Sequence, residues 1–270
     1  MKKIYSTRFG GNKVEALKNV NFSVEQGEYV AIMGESGSGK TTLMNILAGI
    51  RLDYKGELTY FGQYHDKDRE ENPIVKEQYA YTGPGAYYLP QWTVGQIRNL
   101  NQLLFENFHE DRFEKLCERL AVGGEGNVSG KKVRSLSDGN KMKLMIASAL
   151  ARDTKLLMMD EPASPLDPLM RDCLCSLIRE YLAENEGENS VFFSTHNIAD
   201  MENVTDYAII MERGRIVEEG FVEDLKEKYV YVKGEPRDIE AARNVMFSMR
   251  ESQYGFEGVL SLIHISEPTR

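Results

Sequence analysis

Short apolar runs, each bounded by polar or glycine-rich segments, alternate along this chain with stretches where apolar residues recur every three or four positions. Tyr29-Val30-Ala31-Ile32-Met33 is a continuous run of the kind a parallel sheet buries on both faces. Leu156–Met159, Val191–Thr195, Tyr207–Met211 and Ile216–Glu218 read as further strands. Leu43, Ile46, Leu47 and Ile50 recur at helical spacing, as do Leu144, Met145, Ala147, Ser148 and Leu150. Residues 92–152 read as mostly helical. Leu100, Leu103, Leu104, Phe108, Phe113, Leu116 and Leu120 form an interrupted apolar stripe there, expected to be the core of a helical subdomain. Strands alternating with helices predict an α/β fold around a mostly parallel, doubly wound sheet. No internal repeat is visible, so one such domain is expected.

The link between the first buried strand and its helix carries the sharpest chemistry. Gly34-Glu35-Ser36-Gly37-Ser38-Gly39-Lys40-Thr41-Thr42 fits the phosphate-binding loop pattern at every fixed position, with strand and helix on the required sides. Glycines let the backbone curl so that successive N–H groups point inward, and the helix start adds its positive end. Lys40 supplies a point charge for β- and γ-phosphates, and the Thr41 hydroxyl is a ligand for Mg²⁺. The segment predicts binding of a nucleoside triphosphate.

A second strand, Leu156–Met159, ends in Asp160-Glu161-Pro162. Beside a phosphate loop the first carboxylate can hold Mg²⁺, and its neighbour can orient an attacking water or take its proton. Two acids at a strand end are also compatible with a merely solvated rim. Leu136-Ser137-Asp138-Gly139-Asn140 precedes a helix, and taken alone it is a serine N-cap. His196, after Val191–Thr195, taken by itself is more often a structural residue than a chemical one.

Composition narrows the class. The chain has 270 residues, 41% of them hydrophobic, enough for a substantial core. No apolar run exceeds five residues, against the roughly 20 a membrane-spanning helix needs. Met1-Lys2-Lys3 is basic, but no apolar signal segment follows. A net charge of −9 argues against nucleic acid as the main partner, since phosphate backbones need a basic face. Cys117, Cys173 and Cys175 have neither metal spacing nor even pairing and read as reduced, buried thiols of a cytoplasmic protein. The charge runs Asp66–Glu71 and Glu184–Glu188 read as solvated loops.

Taken together, these pieces resemble the nucleotide-binding subunit of the ATP-binding cassette (ABC) family over nearly all of residues 1–235. Leu136–Asn140 stands where that family has its signature Leu-Ser-Gly-Gly-Gln. Ser164-Pro165-Leu166-Asp167 resembles its dimer-contacting loop, and Ser194-Thr195-His196 its switch histidine. Five motifs in the family order make the resemblance specific. It implies an ABC-type ATPase core that binds and hydrolyses ATP with Mg²⁺. Two copies, or this chain and a second ABC ATPase, would pair head to tail around two ATP molecules. Ser137 and Gly139 would then meet the γ-phosphate of the opposite chain, and Asp167 would lie at the dimer contact. Glu161 and His196 would be catalytic, Thr41 and Asp160 would hold the metal, and Tyr5, with Phe9 in reserve, would stack on adenine. The partner would be a membrane-spanning permease in a separate chain, placing this subunit in the cytoplasm on the inner face of the membrane. An exporter of drugs or antimicrobial peptides is the expected branch. The alternatives are a nucleotide-binding module with little turnover and a cassette ATPase acting on ribosomes or DNA. The latter usually has two cassettes or a long coiled-coil insertion, and neither is seen.

Three departures stand out. Asp138 and Asn140 replace Gly and Gln in the signature, and the added carboxylate needs a partner, with Lys141 and Lys143 in reach. Tyr81–Tyr87 carries no glutamine where the family's glutamine loop is expected, and Gln91 comes too late, just before Trp92-Thr93-Val94. Absence of that glutamine bears on the hydrolysis rate rather than on ATP binding. At the ends, the strand before Lys2–Tyr5 is shorter than in the family. Residues 236–259 read as a C-terminal extension, with Tyr229–Gly234 resembling a short exporter tail. Leu260–Arg270 resembles a translated sequencing adapter and is set aside. Residues 1–49 and 75–258 resemble two different exporter branches, so a join between two genes is an alternative origin.

Overall fold

The computed structural model describes residues 1–5, 13–65, 73–84, 88–124, 126, 128–196, 205–243 and 246–261. By internal contacts the chain divides into Met1–Glu218 and Glu219–Arg270.

In the first unit, β1 (Lys3–Tyr5) and β2 (Val14–Leu17) form an antiparallel pair. The buried run then appears as β3 (Tyr29–Met33), leading into α1 (Lys40–Leu47). A two-stranded ribbon, β4 (Thr59–Tyr60) and β5 (Tyr64–His65), precedes α2 (Pro73–Glu77) and β6 (Tyr79–Thr82). The helical segment contains α3 (Val94–Leu104), α4 (Glu110–Arg119) and α5 (Asp138–Leu150). It is followed by β7 (Leu156–Asp160), α6 (Pro168–Ala183), β8 (Ser190–Thr195), β9 (Tyr207–Glu212) and β10 (Arg215–Phe221).

The six-stranded sheet has the order β10-β9-β3-β8-β7-β6, and every pairing from β9 to β6 is parallel. Alternation along each strand sends side chains to two cores. Tyr29, Ala31, Leu157, Met159, Val191 and Phe193 pack with the helical subdomain and α6. Val30, Ile32, Met158, Phe192, Ile209 and Met211 pack with α1 on the other face. Being buried on both sides, these strands read as unbroken apolar runs.

Two expectations need correction. The stripe of residues 100–120 is core only in its second half, where Phe108, Phe113, Leu116 and Leu120 are buried. Leu103 and Leu104 are 82% and 58% exposed, because α3 turns Val94, Ile97 and Asn101 inward instead. A Thr93–Gln96 capping box starts α3 and sets that phase. Ile50 lies beyond the end of α1 and is exposed. Cys117 and Cys175 are buried as expected and Cys173 partly, and none of the three forms a disulfide. Burial pushes the Cys117 thiol up to about 12.

The second unit carries α7 (Val222–Lys228), β11 (Tyr229–Gly234), α8 (Ile239–Arg243), β12 (Met246–Ser252) and β13 (Gly255–Ser261). Its strands form an antiparallel sheet in the order β11-β13-β12. The expected short tail, Tyr229–Gly234, is thus a sheet strand, and Leu260 and Ser261 pair with Val230 and Tyr229 along its backbone. Among the described residues no helix is long and apolar enough to cross a membrane.

Candidate functional site

The site lies at the C-terminal ends of β3, β7 and β8, where an open parallel sheet collects the loops that follow its strands. The loop between β3 and α1 needs its glycines for specific reasons. Gly39 caps α1 with φ of 108°, and a Cβ there would lie 2.7 Å from the Ala16 carbonyl oxygen. Gly37 has open space around it but φ of 85°, so backbone conformation alone calls for glycine. A Cβ on Gly34 would lie 2.3 Å from the Met211 carbonyl oxygen, so β9 limits the width of the loop. Ser38 is buried, whereas Glu35, Ser36 and Gly37 are exposed along the rim.

Lys40 is 6% exposed and its ammonium donates to the carbonyls of Gly34 at 2.6 Å and Glu35 at 3.3 Å. It also lies 3.6 Å from Glu161 Oε1. The other carboxylate oxygen, Oε2, is 2.7 Å from His196 Nδ1. Since a carboxylate only accepts, Nδ1 carries the proton in this contact, which leaves Nε2 outside it. Lys40, Glu161 and His196, far apart in sequence, thus form one chain of contacts.

Asp160, at the tip of β7, is fully buried. Ser194 Oγ donates to its Oδ1, while Oδ2 has no hydrogen-bond partner among the described residues. Burial raises its pKa; the Ser194 and Thr41 hydroxyls and Lys40 pull it back down. A buried oxygen without a partner, beside the exposed Thr41 hydroxyl at the start of α1, fits a hard divalent cation. No group of three or more His, Cys, Asp or Glu placed so that it could hold a metal ion occurs among the described residues. Two protein oxygens with phosphate oxygens is the sparse coordination typical of Mg²⁺ and not of a protein-caged metal.

Glu161 adopts φ of 51°, in the left-handed region. Its N–H is held by the Ser194 carbonyl at 3.1 Å and by Ser194 Oγ at 3.0 Å. This turn takes Glu161 out of the sheet and towards Lys40 and His196. Tyr5, closing β1, has its hydroxyl 3.4 Å from Thr42 Oγ1 at the phosphate loop. Lys3 Nζ and Arg51 Cζ each lie 5.0 Å from its ring centroid. Phe9 lies outside the described residues.

The signature segment is a separate cluster. Ser137 caps α5 and accepts from Asn140 N and Asn140 Nδ2, both at 3.2 Å. Asn140 Oδ1 in turn accepts from Gly123 N at 3.0 Å, so the departure at position 140 ties the cap to the preceding loop. With its lone pairs engaged, the Ser137 hydroxyl keeps its proton for an outside acceptor. Asp138 pairs with Lys141 at 2.9 Å, and its side chain is 89% exposed, which keeps that charge away from the cap. A Cβ on Gly139 would lie 2.7 Å from the Pro165 carbonyl oxygen. Gly139 therefore lets the segment 164–167 approach, while Asp167 caps α6 by accepting from Met170 N at 3.0 Å.

The glutamine-loop region is described only to Pro84, residues 85–87 lying outside. A Cβ on Gly83 would lie 2.5 Å from Tyr81 Oη and 3.1 Å from Asp160 Cβ, so this segment passes beside the buried acid. Sequence reasoning missed Ser194 and the bridging role of Asn140. The available signal for Ser194 was a serine placed directly after the apolar run Val191–Phe193 of a buried strand.

The profile of the family described as ABC transporter matches residues 17–164. The chain is 32% identical over 218 residues to an uncharacterised ABC transporter ATP-binding protein of Synechocystis, covering 80% of this chain and 59% of that protein. It is 33% identical over 212 residues to the dipeptide transport ATP-binding protein DppF of Escherichia coli, covering 77% and 63%. A human relative, ATP-binding cassette sub-family A member 6, is 31% identical over 220 residues but only 13% covered. The chain thus spans well under two thirds of several of its relatives. A solved ATP-binding subunit of an ABC transporter superposes with a TM-score of 0.66 at 26% identity, covering 79% of this chain and 86% of that one. The dimeric cassette MJ0796 bound to ADP and Pi shares the fold, with a TM-score of 0.70 at 24% identity over 82% and 96% of the two chains. The chain belongs to the ABC transporter family, as one of its cassette domains.

Proposed function

We propose that this chain powers a membrane exporter of drugs or antimicrobial peptides by binding and hydrolysing ATP between two cassettes. The observation that carries the ATPase part is the convergence of Lys40, Glu161, His196 and the unpartnered Oδ2 of Asp160 at one sheet edge. Phosphates of ATP would lie along the loop 34–42, with Lys40 turning from the Gly34 carbonyl towards them. Thr41 and Asp160 would hold Mg²⁺, which draws charge from the β- and γ-phosphates as it develops. Glu161 would orient the attacking water and accept its proton, and His196 would fix that carboxylate while Nε2 faces the γ-phosphate. Ser137 and Gly139, at the start of α5, would complete the site of a second cassette, either a copy of this chain or another ABC ATPase.

A membrane-spanning permease in a separate chain would receive the work, holding the cassette to the inner, cytoplasmic face of the membrane. Support comes from a cleft of about 420 Å³ lined by Ala48, Gly49, Leu52, Tyr79, Phe105 and Arg152. Exposed Leu52, Leu103 and Leu104 supply apolar surface of the kind a partner helix covers. Export is favoured by the exporter resemblance of residues 1–49 and 75–258. Relatives also include dipeptide and bicarbonate transport ATP-binding proteins, so direction of transport is decided by experiment. Cells carrying this chain with its genomic membrane neighbour should gain efflux of a drug or peptide, and Lys40→Ala should abolish it. Uptake in place of efflux would overturn the exporter reading.

A further inference from the structure

Ser194 lies at the end of β8 in the middle of the sheet, its Cα paired with Asp160 on one side and Ile32 on the other. It is fully buried. A single hydroxyl there makes two contacts of opposite sense. It donates to Asp160 Oδ1, and it accepts from Glu161 N at 3.0 Å. The Ser194 carbonyl takes the same N–H at 3.1 Å.

These contacts have separable consequences. Tying Oδ1 leaves Oδ2 as the unpaired oxygen of a buried carboxylate. Holding the Glu161 N–H supports a residue whose φ of 51° is unfavourable for a side chain with Cβ. That φ is what sends Glu161 to His196 Nδ1 at 2.7 Å rather than along the strand direction. The polarity is also fixed: a carboxylate can only accept, so the Ser194 proton goes to Asp160 and its lone pair to Glu161. Chains of this kind polarise one another and strengthen each bond.

We propose that Ser194 is the positioning residue of the hydrolytic centre, selecting the Asp160 oxygen offered to the cation and setting the turn that aims Glu161. The proposal rests on the ATPase reading above. Alanine would keep the strand but remove both contacts, whereas threonine would retain the hydroxyl.

The test compares the parent, Ser194→Ala and Ser194→Thr by thermal unfolding, ATP titration with Mg²⁺ or with EDTA, and steady-state hydrolysis. Outer-shell partners of a metal site typically contribute about 10- to 100-fold. Ser194→Ala should keep its EDTA affinity for ATP within about threefold. It should lose about tenfold of the tightening that Mg²⁺ gives, and kcat should fall more than KM rises. Ser194→Thr should recover most of both. Unchanged Mg²⁺ tightening and kcat in Ser194→Ala would overturn the proposal, as would Ser194→Thr failing as badly as alanine while folded. Failure of the ATPase reading looks different, since the parent itself would then neither bind nor hydrolyse ATP.

Discussion

Replacing Glu161 by glutamine separates the charge of this side chain from its shape. In the structure Glu161 Oε1 lies 3.6 Å from Lys40 Nζ, and Oε2 accepts from His196. At that distance two unit charges attract by about 1 kcal/mol in a water-like medium and about 5 kcal/mol at an effective dielectric constant near 20. Lys40 is 6% exposed and Glu161 21%, which favours the upper figure, but the ammonium also holds two carbonyls and exchanges one anionic partner for another when phosphate arrives, so the net change is taken at about 1 kcal/mol. Glutamine removes this competition for Lys40 together with a negative charge beside the γ-phosphate. A gain of about 1 kcal/mol corresponds to roughly fivefold tighter ATP. Hydrolysis should change in the opposite sense, falling about 10²-fold or more as the proton acceptor is lost. Isothermal titration and phosphate release on the same preparation give both numbers. Glu161→Gln with parental turnover, or with weaker ATP binding and intact folding, would refute the assignment.

Three further outcomes follow from the same geometry. Burial raises the Asp160 pKa, so the folded chain takes up a proton at higher pH than the unfolded chain does. Its ionised form therefore costs stability at neutral pH, a cost relieved as pH falls through the raised value towards the ordinary carboxylate range. Asp160→Asn without nucleotide should melt above the parent at pH 8, with the gap closing on acidification; a constant gap would contradict this. Tyr5→Ala should weaken ATP by about 1–3 kcal/mol if its ring carries adenine, and unchanged affinity in a titration would remove it from the site. Gly139→Ala forces a Cβ towards the Pro165 carbonyl oxygen and should destabilise by roughly 1–3 kcal/mol in denaturant unfolding. Parental stability would show that the segment 164–167 yields freely.

The buried strands were legible because parallel pairing covers both faces and leaves unbroken apolar runs such as Tyr29–Met33. The phosphate loop was legible because its glycines answer steric demands that no other residue meets. Leu103 and Leu104 were misread as core because helical spacing gives the width of an apolar face but not its phase. Here the Thr93 cap and the inward Asn101 fix that phase. The second unit's sheet was missed because its strands mix charged and polar with apolar positions and so show no unbroken apolar run. Asp160 and Glu161 could be named from sequence, but not the hydroxyl of Ser194, 34 residues away from Asp160, which joins them.

The central claim is an ATPase whose site is shared between two chains, and the dependence of turnover on chain concentration tests it most directly. Specific activity of the purified chain should rise with concentration and then level off. Ser137→Arg should lose turnover at every concentration while binding ATP like the parent, and Lys40→Ala should lose both. Specific activity that stays constant on dilution, together with full turnover by Ser137→Arg, would contradict the shared site.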